Sequence, residues 1–530
     1  MNGIGKRKMI HALLITIFLL KENFWIANAK EWYDDLDDDS LRQSSNITER
    51  QLQLSTVLAC DENSGQVAGY ACKNVGLQAR LPLYALGAIG PVENMGASDI
   101  WGWTDPDTGR EYAIVGLYQG VAFVDISNPQ LPKLIAKLPA TVEGSFAKDV
   151  KNYGRFAYVV SETEGHGIQI FDMSQLPKIR NPPVYVRPTA FFAFSGSFPN
   201  GPKKKSNEIA KRKNSSDALN RRLGQGRDDD YHQDYDEEEK NPDSHPSWWT
   251  EGGDAHNIAI NEASGYAYLV GTNKCNGGLY ILELLSNPLR PTFAGCFGDT
   301  GYIHDAQCII YNGPDFTYTG REICFASNGK NGLSIIDVTN KAGPLLISRI
   351  EKSYFEFISQ GWVTEQRNFF IMGDEGRKGL TKTYIVDISN LDSPKINGIH
   401  TSTIEAQAHN MFVRGQYIYQ ANYRGGLRIL NLLEIYGEES EAGYFDVYQA
   451  DDKYGYQGAF GVYPFFRSGN VIISSVEDGL FIVQPIWLTP APTLPPVLPP
   501  TQPEAAGGCC FFKSLMVKAL VTRIIEDAVV

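Results

Sequence analysis

The chain has 530 residues, 43% of them hydrophobic and 12% aromatic, enough apolar side chain to bury one large core or several small ones, which excludes a wholly disordered protein. Its net charge of −13 and pI near 5.2 set aside a nucleic-acid partner, because phosphate binding draws on a basic surface that no folded stretch supplies.

The N-terminus places Lys6-Arg7-Lys8 before an apolar run from Met9 to Leu20 and ends in Ala27-Asn28-Ala29. That order predicts a signal peptide over residues 1–29 and a mature chain that is secreted, extracellular or on the cell surface. An N-terminal membrane anchor is the competing reading, but the run is shorter than the ~20 residues a spanning helix needs. Residues 30–78 follow as an acidic N-terminal segment with a disulfide loop closed by Cys60 and Cys72. Cys275 and Cys296 fall in successive predicted strands, and Cys308 and Cys324 do so one repeat later. An oxidising compartment favours pairing them in that order, with crossed pairs open on sequence alone. Asn46 and Asn214 head glycosylation sequons in polar segments, in keeping with an exported glycoprotein.

From residue 79 to 488 the chain repeats itself. A Gly followed by alternating apolar residues recurs as GVAFVDISNP from Gly120, GIQIFDMSQLP from Gly167, GLYILELLSNP from Gly278 and GLSIIDVTN from Gly332. Further copies are TYIVDISNLDSP from Thr383, GLRILNLLEI from Gly426 and GLFIVQPI from Gly479. Alternation with period two marks a half-buried strand, and the Ser-Asn-Pro turn leads into another. Two more strand candidates precede each anchor, such as DIWGW and EYAIVGL. The prediction is an all-β fold, a single β-propeller of seven four-stranded blades, with six or eight as the alternative counts because the fifth anchor lacks its glycine. The last copy runs into proline-rich sequence without a fourth strand. Leu81 to Gly90, LPLYALGAIG, reads as the N-terminal strand that completes that blade and removes the open edge.

The segments SDIWGWTDPDTGREYAIVGL, GTNKCNGGLYILE, IHDAQCIIYNGPDFTYTGREICF and YIYQANYRGGLRIL resemble the choice-of-anchor B family, whose domain consists of LVIVD repeats, over Cys60 to Pro485. The resemblance implies an exported or surface-attached propeller whose C-terminal anchor varies, and it implies no particular reaction.

Within the ring, residues 195–251 form a charged insertion, basic at Lys203-Lys204-Lys205 and acidic at Asp228-Asp229-Asp230, too poor in apolar side chains to order itself. The family pattern has a much shorter connection there. Residues 489–508 read as a stiff proline-rich linker and 509–530 as a short tail, whose Lys513, Lys518 and Arg523 argue against a spanning helix and leave a membrane-surface contact as the one membrane role open to it.

In a propeller the first strand of each blade lines the axial channel, so its opening residues ring one mouth. Aligning the repeats places there Ser98-Asp99, Lys148-Asp149, His256-Asn257, His304-Asp305, Gln360-Gly361, His409-Asn410 and Gln457-Gly458. One expectation is that these polar groups bond between blades and to channel water. The other is a ligand site in which Asp99, Asp149, Asn257, Asp305 and Asn410 offer oxygen to a hard cation, calcium or another divalent ion, with imidazole from the histidines for a transition ion. No cofactor is demanded by any motif: there is no nucleophile elbow, HExxH or phosphate loop, and Asp105-Pro106-Asp107-Thr108-Gly109 reads as a hairpin turn. The chain therefore reads as an extracellular binding module for a protein or glycan, and more as a non-enzyme than an enzyme. The competing reading is a metal-dependent hydrolase of lactonase or esterase type at the channel mouth, with His256, His304 or His409 as general base and no catalytic residue assigned. A third is an accessory subunit of an oxidoreductase.

Overall fold

A computed structural model describes residues 58–88, 96–142, 148–193, 255–376, 379–437 and 439–488. The signal peptide, both sequons, the charged insertion, the proline-rich linker and the tail with Cys509 and Cys510 lie outside the described residues.

Seven sheets succeed one another along the chain, antiparallel except where the short strand Val184–Tyr185 runs parallel to Lys133–Pro139. Blade 1 consists of Ala97–Thr104, Glu111–Leu117, Gly120–Asp125 and Lys133–Pro139; blade 2 of Lys148–Tyr153, Phe156–Ser161, Ile168–Asp172 and Ala190–Phe192. Blade 3 consists of Asn257–Asn261, Tyr266–Val270, Leu279–Glu283 and Thr292–Phe297; blade 4 of Asp305–Ile310, Glu322–Ser327, Leu333–Asp337 and Leu345–Ile350. Blade 5 consists of Ile358–Val363, Phe369–Asp374, Lys382–Asp387 and Lys395–Thr401, its third strand pairing on both sides without the anchor glycine. Blade 6 consists of Asn410–Arg414, Tyr417–Ala421, Leu427–Asn431 and Glu441–Phe445, and blade 7 of Ala459–Tyr463, Val471–Ser475, Gly479–Pro485 and Val75–Leu81. The first strands of consecutive blades pack on one another around the ring, and the fold is a seven-bladed β-propeller.

The N-terminal strand closes the ring as expected, but it is Val75–Leu81, antiparallel to Gly479–Pro485, and not Leu81 to Gly90. Pro82 has no N–H to give a ladder, and Leu83–Leu86 turns away as a 3-10 helix that stops at Gly87 in left-handed conformation. The ring thus takes in four residues, 75–78, placed above in the N-terminal segment. A Cβ on the anchor glycine Gly479 would lie 2.3 Å from the Leu81 carbonyl, as one on Gly120 would lie 2.1 Å from the Leu138 carbonyl. The N-terminal strand therefore occupies the same place in blade 7 that the fourth strand occupies in blade 1. Just upstream, Tyr70–Lys73 pairs with Glu441–Phe445 as an extra strand on blade 6, so one short run of chain ties blade 6 to blade 7.

The central strands are buried on both faces, and their period-two alternation sorts residues between two cores. In Phe156–Ser161, Val159 packs with Ile114, Val121 and Phe123 of blade 1, whereas Tyr158 and Val160 pack with Ile258 and Leu269 of blade 3. Each such apolar side chain contributes roughly 1.5–3 kcal/mol by leaving water. Half-exposed alternation survives in outer strands such as Lys395–Thr401. The disulfides are Cys60–Cys72, Cys275–Cys296 and Cys308–Cys324, as paired above, with Cα separations of 5.9, 5.5 and 4.0 Å. Cys275 opens a 3-10 turn, not a strand. Asp105 to Gly109 is a hairpin turn closed by Gly109 N–H to the Asp105 carbonyl at 2.8 Å.

Candidate functional site

The opening residues of the first strands do converge on the axis, where they bond from blade to blade. Ser98 Oγ donates to the Lys148 carbonyl at 3.2 Å, and Ser359 Oγ to the His409 carbonyl at 3.1 Å. His304 Nδ1 donates to the Ser359 carbonyl at 2.8 Å and His409 Nδ1 to that of Phe460 at 2.5 Å. One residue further on, Asp99 Oδ2 accepts from Val150 N–H at 3.3 Å, Asp149 Oδ2 from Ile258 N–H at 2.7 Å and Gln360 Oε1 from Met411 N–H at 2.5 Å. These pairings correct the register in two blades. The equivalent pair in blade 5 is Ser359-Gln360, not Gln360-Gly361. In blade 7 it is Phe460-Gly461, because the strand starts at Ala459 with a bulge, while Gly458 sits at φ +84° outside it. Gln457 lies in the preceding loop and accepts from Arg424 Nε at 2.7 Å.

The acidic centre expected to hold a hard cation already contains one. Lys151, two residues beyond Asp149 on the same strand face, places its ammonium 2.6 Å from Asp149 Oδ1 and 3.1 Å from Asp99 Oδ2. Asn410 turns its amide N–H toward Asp99 Oδ1 at 3.3 Å, so it acts there as a donor and not as an oxygen ligand. Burial pushes Asp99 well above the usual carboxylate range against the pull of Lys151, with the neighbouring Asp149 adding to the rise. At Asp149 burial is outweighed by Lys151 and by hydrogen bonds from Asp99 and Ile258 N–H, and its carboxyl is held low. Burial would discharge Lys151, but Asp149 and Asp99 overcome it and keep the amine charged. Lys151 thus stands as the cation between two buried aspartates whose carboxyls are pushed in opposite directions. Among the described residues no group of three or more His, Cys, Asp and Glu side chains is arranged to hold a metal ion.

In the next two blades the chemistry differs. Burial pushes Asp305 up to about 7, its Oδ1 accepts from Ala306 N–H at 2.6 Å, and its Oδ2 is buried without a hydrogen-bond partner, as is Asn257 Oδ1. His256 bridges two neighbours: its Nδ1 lies 2.5 Å from Glu162 Oε1 and its Nε2 lies 2.8 Å from His304 Nε2. A carbonyl can only accept, so His304 Nδ1 carries a proton, and opposite the Glu162 carboxylate so does His256 Nδ1. One more proton is shared between the two Nε2 atoms, and the pair carries a single positive charge against Glu162. Burial opposes that charge on His256, but Glu162 outweighs it and raises the ring. His409, by contrast, is pushed down to about 4 by burial and is neutral.

The sequence reading missed Lys151, Glu162, Glu375 and Tyr423. Glu162 and Glu375 each directly follow the second strand of a blade, and that shared position was the available signal. Glu375, pushed up to about 7 by burial, accepts from the Tyr423 hydroxyl at 3.1 Å. Tyr423 adopts φ +42°, in the place where blade 4 has Gly329 at φ +57°; both pair with the first strand of the next blade. A bulky side chain in left-handed backbone costs of order 1–3 kcal/mol, and here it puts the ring 4.8 Å from His409 and 5.3 Å from Tyr456.

The LVIVD repeat family matches residues 111–138, 252–299, 325–351 and 377–401, which fall in blades 1, 3, 4 and 5. The chain is an LVIVD-repeat β-propeller. No curated protein matches the sequence of this propeller. Among solved structures it is similar to the WD40 beta propeller domain of Doa1, at 9% identity and TM-score 0.44, covering 77% of this chain and 96% of that one. It is also similar to the computationally designed Ika8 protein, at 7% identity and TM-score 0.38, covering 73% and 82%. The extracellular domain of the hybrid two component system BT4673 from B. thetaiotaomicron is a third, at 11% identity and TM-score 0.38, covering 73% of this chain and 38% of that one.

Proposed function

We propose that this LVIVD-repeat propeller is an extracellular binding module of the choice-of-anchor B type, exported by its N-terminal signal and glycosylated, which presents the face around its channel mouth to a protein ligand. The observation that carries the reading is a rigid aromatic and charged patch continuous with that mouth. Tyr448, Tyr454 and Tyr456 are half-buried on the loop between blades 6 and 7, beside Arg424, which pairs with Asp451 at 3.2 Å and lies over the Tyr448 ring. The Tyr454 hydroxyl is 2.9 Å from that of Tyr456, and Gly455 N–H is tied to Gln407 Oε1 at 2.9 Å. Tyrosine and arginine held in place on a surface are the residues that dominate protein-binding sites, because they lose little conformational entropy when covered. Three disulfides among the described residues support an oxidising compartment.

The hydrolase reading has less support. The Nδ1 atoms of His304 and His409 are committed to backbone carbonyls, and the Nε2 atoms of His256 and His304 to each other. A general base at His256 or His304 would first have to break the hydrogen bond between their Nε2 atoms.

The test is a screen of the purified full chain against extracellular protein and glycan arrays, with Arg424→Ala and Tyr456→Ala as controls. Saturable binding to a protein that both variants weaken at least tenfold, with unchanged melting temperature, is the expected result. Binding only to glycans, binding that ignores both variants, or ester and lactone hydrolysis by the wild type with no saturable ligand would overturn it.

A further inference from the structure

We infer that His256 and His304 form a binding site for a divalent transition ion at the channel mouth, apart from the aspartate centre filled by Lys151. The two rings occupy the same repeat position in adjacent blades, and their Nε2 atoms lie 2.8 Å apart with the ring centroids 4.1 Å apart, so the nitrogens meet at an angle and not head-on. Each ring is fixed from behind through Nδ1, His256 by the Glu162 carboxylate at 2.5 Å and His304 by the Ser359 carbonyl at 2.8 Å. Metal-binding histidines are held in this way, by a carboxylate or carbonyl on the second nitrogen that sets the ring orientation and raises its basicity. Two nitrogens 2.8 Å apart, each ~2.1 Å from a common ion, subtend an angle of about 85° there. That suits neighbouring ligands of an octahedral or tetragonal ion such as Co²⁺, Ni²⁺ or Cu²⁺ better than the wider angle of tetrahedral zinc.

Access and charge agree with this assignment. The His256 side chain retains 17% exposure while Glu162 behind it has 4%, so the approach is from the mouth and the carboxylate sits on the far side of the ring. Glu162 Oε2 has no hydrogen-bond partner, leaving that carboxylate's charge to offset a cation bound through His256. On binding, the proton shared by the two Nε2 atoms passes to solvent and both lone pairs go to the ion. Water fills the other coordination positions. The site stands independently of the protein-binding patch, since Arg424 and Tyr456 take no part in it.

The experiment is titration of the full chain with Co²⁺ alone, followed by its visible absorption. One equivalent is expected to bind, binding is expected to be lost in His256→Ala and His304→Ala, and Glu162→Gln is expected to weaken it about 10–100-fold. No Co²⁺ spectrum in the wild type overturns the inference, as does an equivalent that survives both alanine variants. If the alanine variants fail to fold, Glu162→Gln decides: an affinity within threefold of wild type overturns the site.

Discussion

One repeat position is built in two ways in neighbouring sectors of the ring. In blades 1 and 2 it yields Asp99 and Asp149 with a lysine between them as their counter-ion. In blades 3 and 4 it yields His256-Asn257 and His304-Asp305, where charge is balanced by Glu162 from blade 2 and two buried oxygens lack donors. The backbone differs by a bulge across Ser98-Asp99 in blade 1, which the first strands of blades 2, 3 and 4 lack, and the side chains differ throughout. A propeller can thus fill its axis with an ion-paired set in one sector and keep a partly satisfied one in the next. The first suits stability and the second suits a ligand or a proton, because incompletely paired buried groups gain most from a new partner.

The contrast can be broken most strongly at Lys151. Lys151→Met leaves two buried carboxyls without their cation and is expected to cost about 3–5 kcal/mol in denaturant unfolding. In the neighbouring sector, Glu162→Gln removes the carboxylate from the histidine pair and is expected to cost about 1.5–3 kcal/mol, the range for a charge-assisted bond. Asp305 sharpens the comparison through pH. Its folded carboxyl titrates at about 7, above the ~3.9 of an unfolded aspartate, so between those values the folded state holds the extra proton. Its contribution to stability is therefore present at low pH and lost as pH rises through about 7. Asp305→Asn should flatten that decline and melt higher than wild type at pH 8, by an equivalent of about 1–2 kcal/mol. Ser98→Ala, which removes the two bonds from Ser98 Oγ to the Lys148 backbone and leaves the ion set in place, should cost about 1 kcal/mol.

Much of the ring was legible because the anchor strands state their own register. GVAFVDISNP and GLSIIDVTN begin with a glycine that the neighbouring strand's carbonyl makes necessary, and that contact recurs from blade to blade. The closing strand was misplaced by a few residues because Leu81 to Gly90 is as apolar as Val75–Leu81. Pro82 was the discriminating residue, since it cannot continue a ladder. At the axis the structure places Asp99, Asp149, His256, Asn257, His304, Asp305, His409 and Asn410 where the repeat alignment put them, Gln360 one place out of register, and Gln457 in the preceding loop, because the loop from 446 to 458 and the bulge at Ala459 shift the count. Lys151 went unread for a physical reason: a lysine in a strand ordinarily points to water, and only the three-dimensional convergence of Asp99 and Asp149 makes its burial favourable.

The most direct test of the axial account is the coupling between Lys151 and its two aspartates. Unfolding free energies would be compared for Lys151→Met alone and for Lys151→Met combined with Asp99→Asn and Asp149→Asn. If the ammonium is the resident counter-ion of the ring, the single variant loses about 3–5 kcal/mol and the triple variant recovers most of that loss. A single variant within about 0.5 kcal/mol of wild type, or a triple variant less stable than the single one, would contradict it.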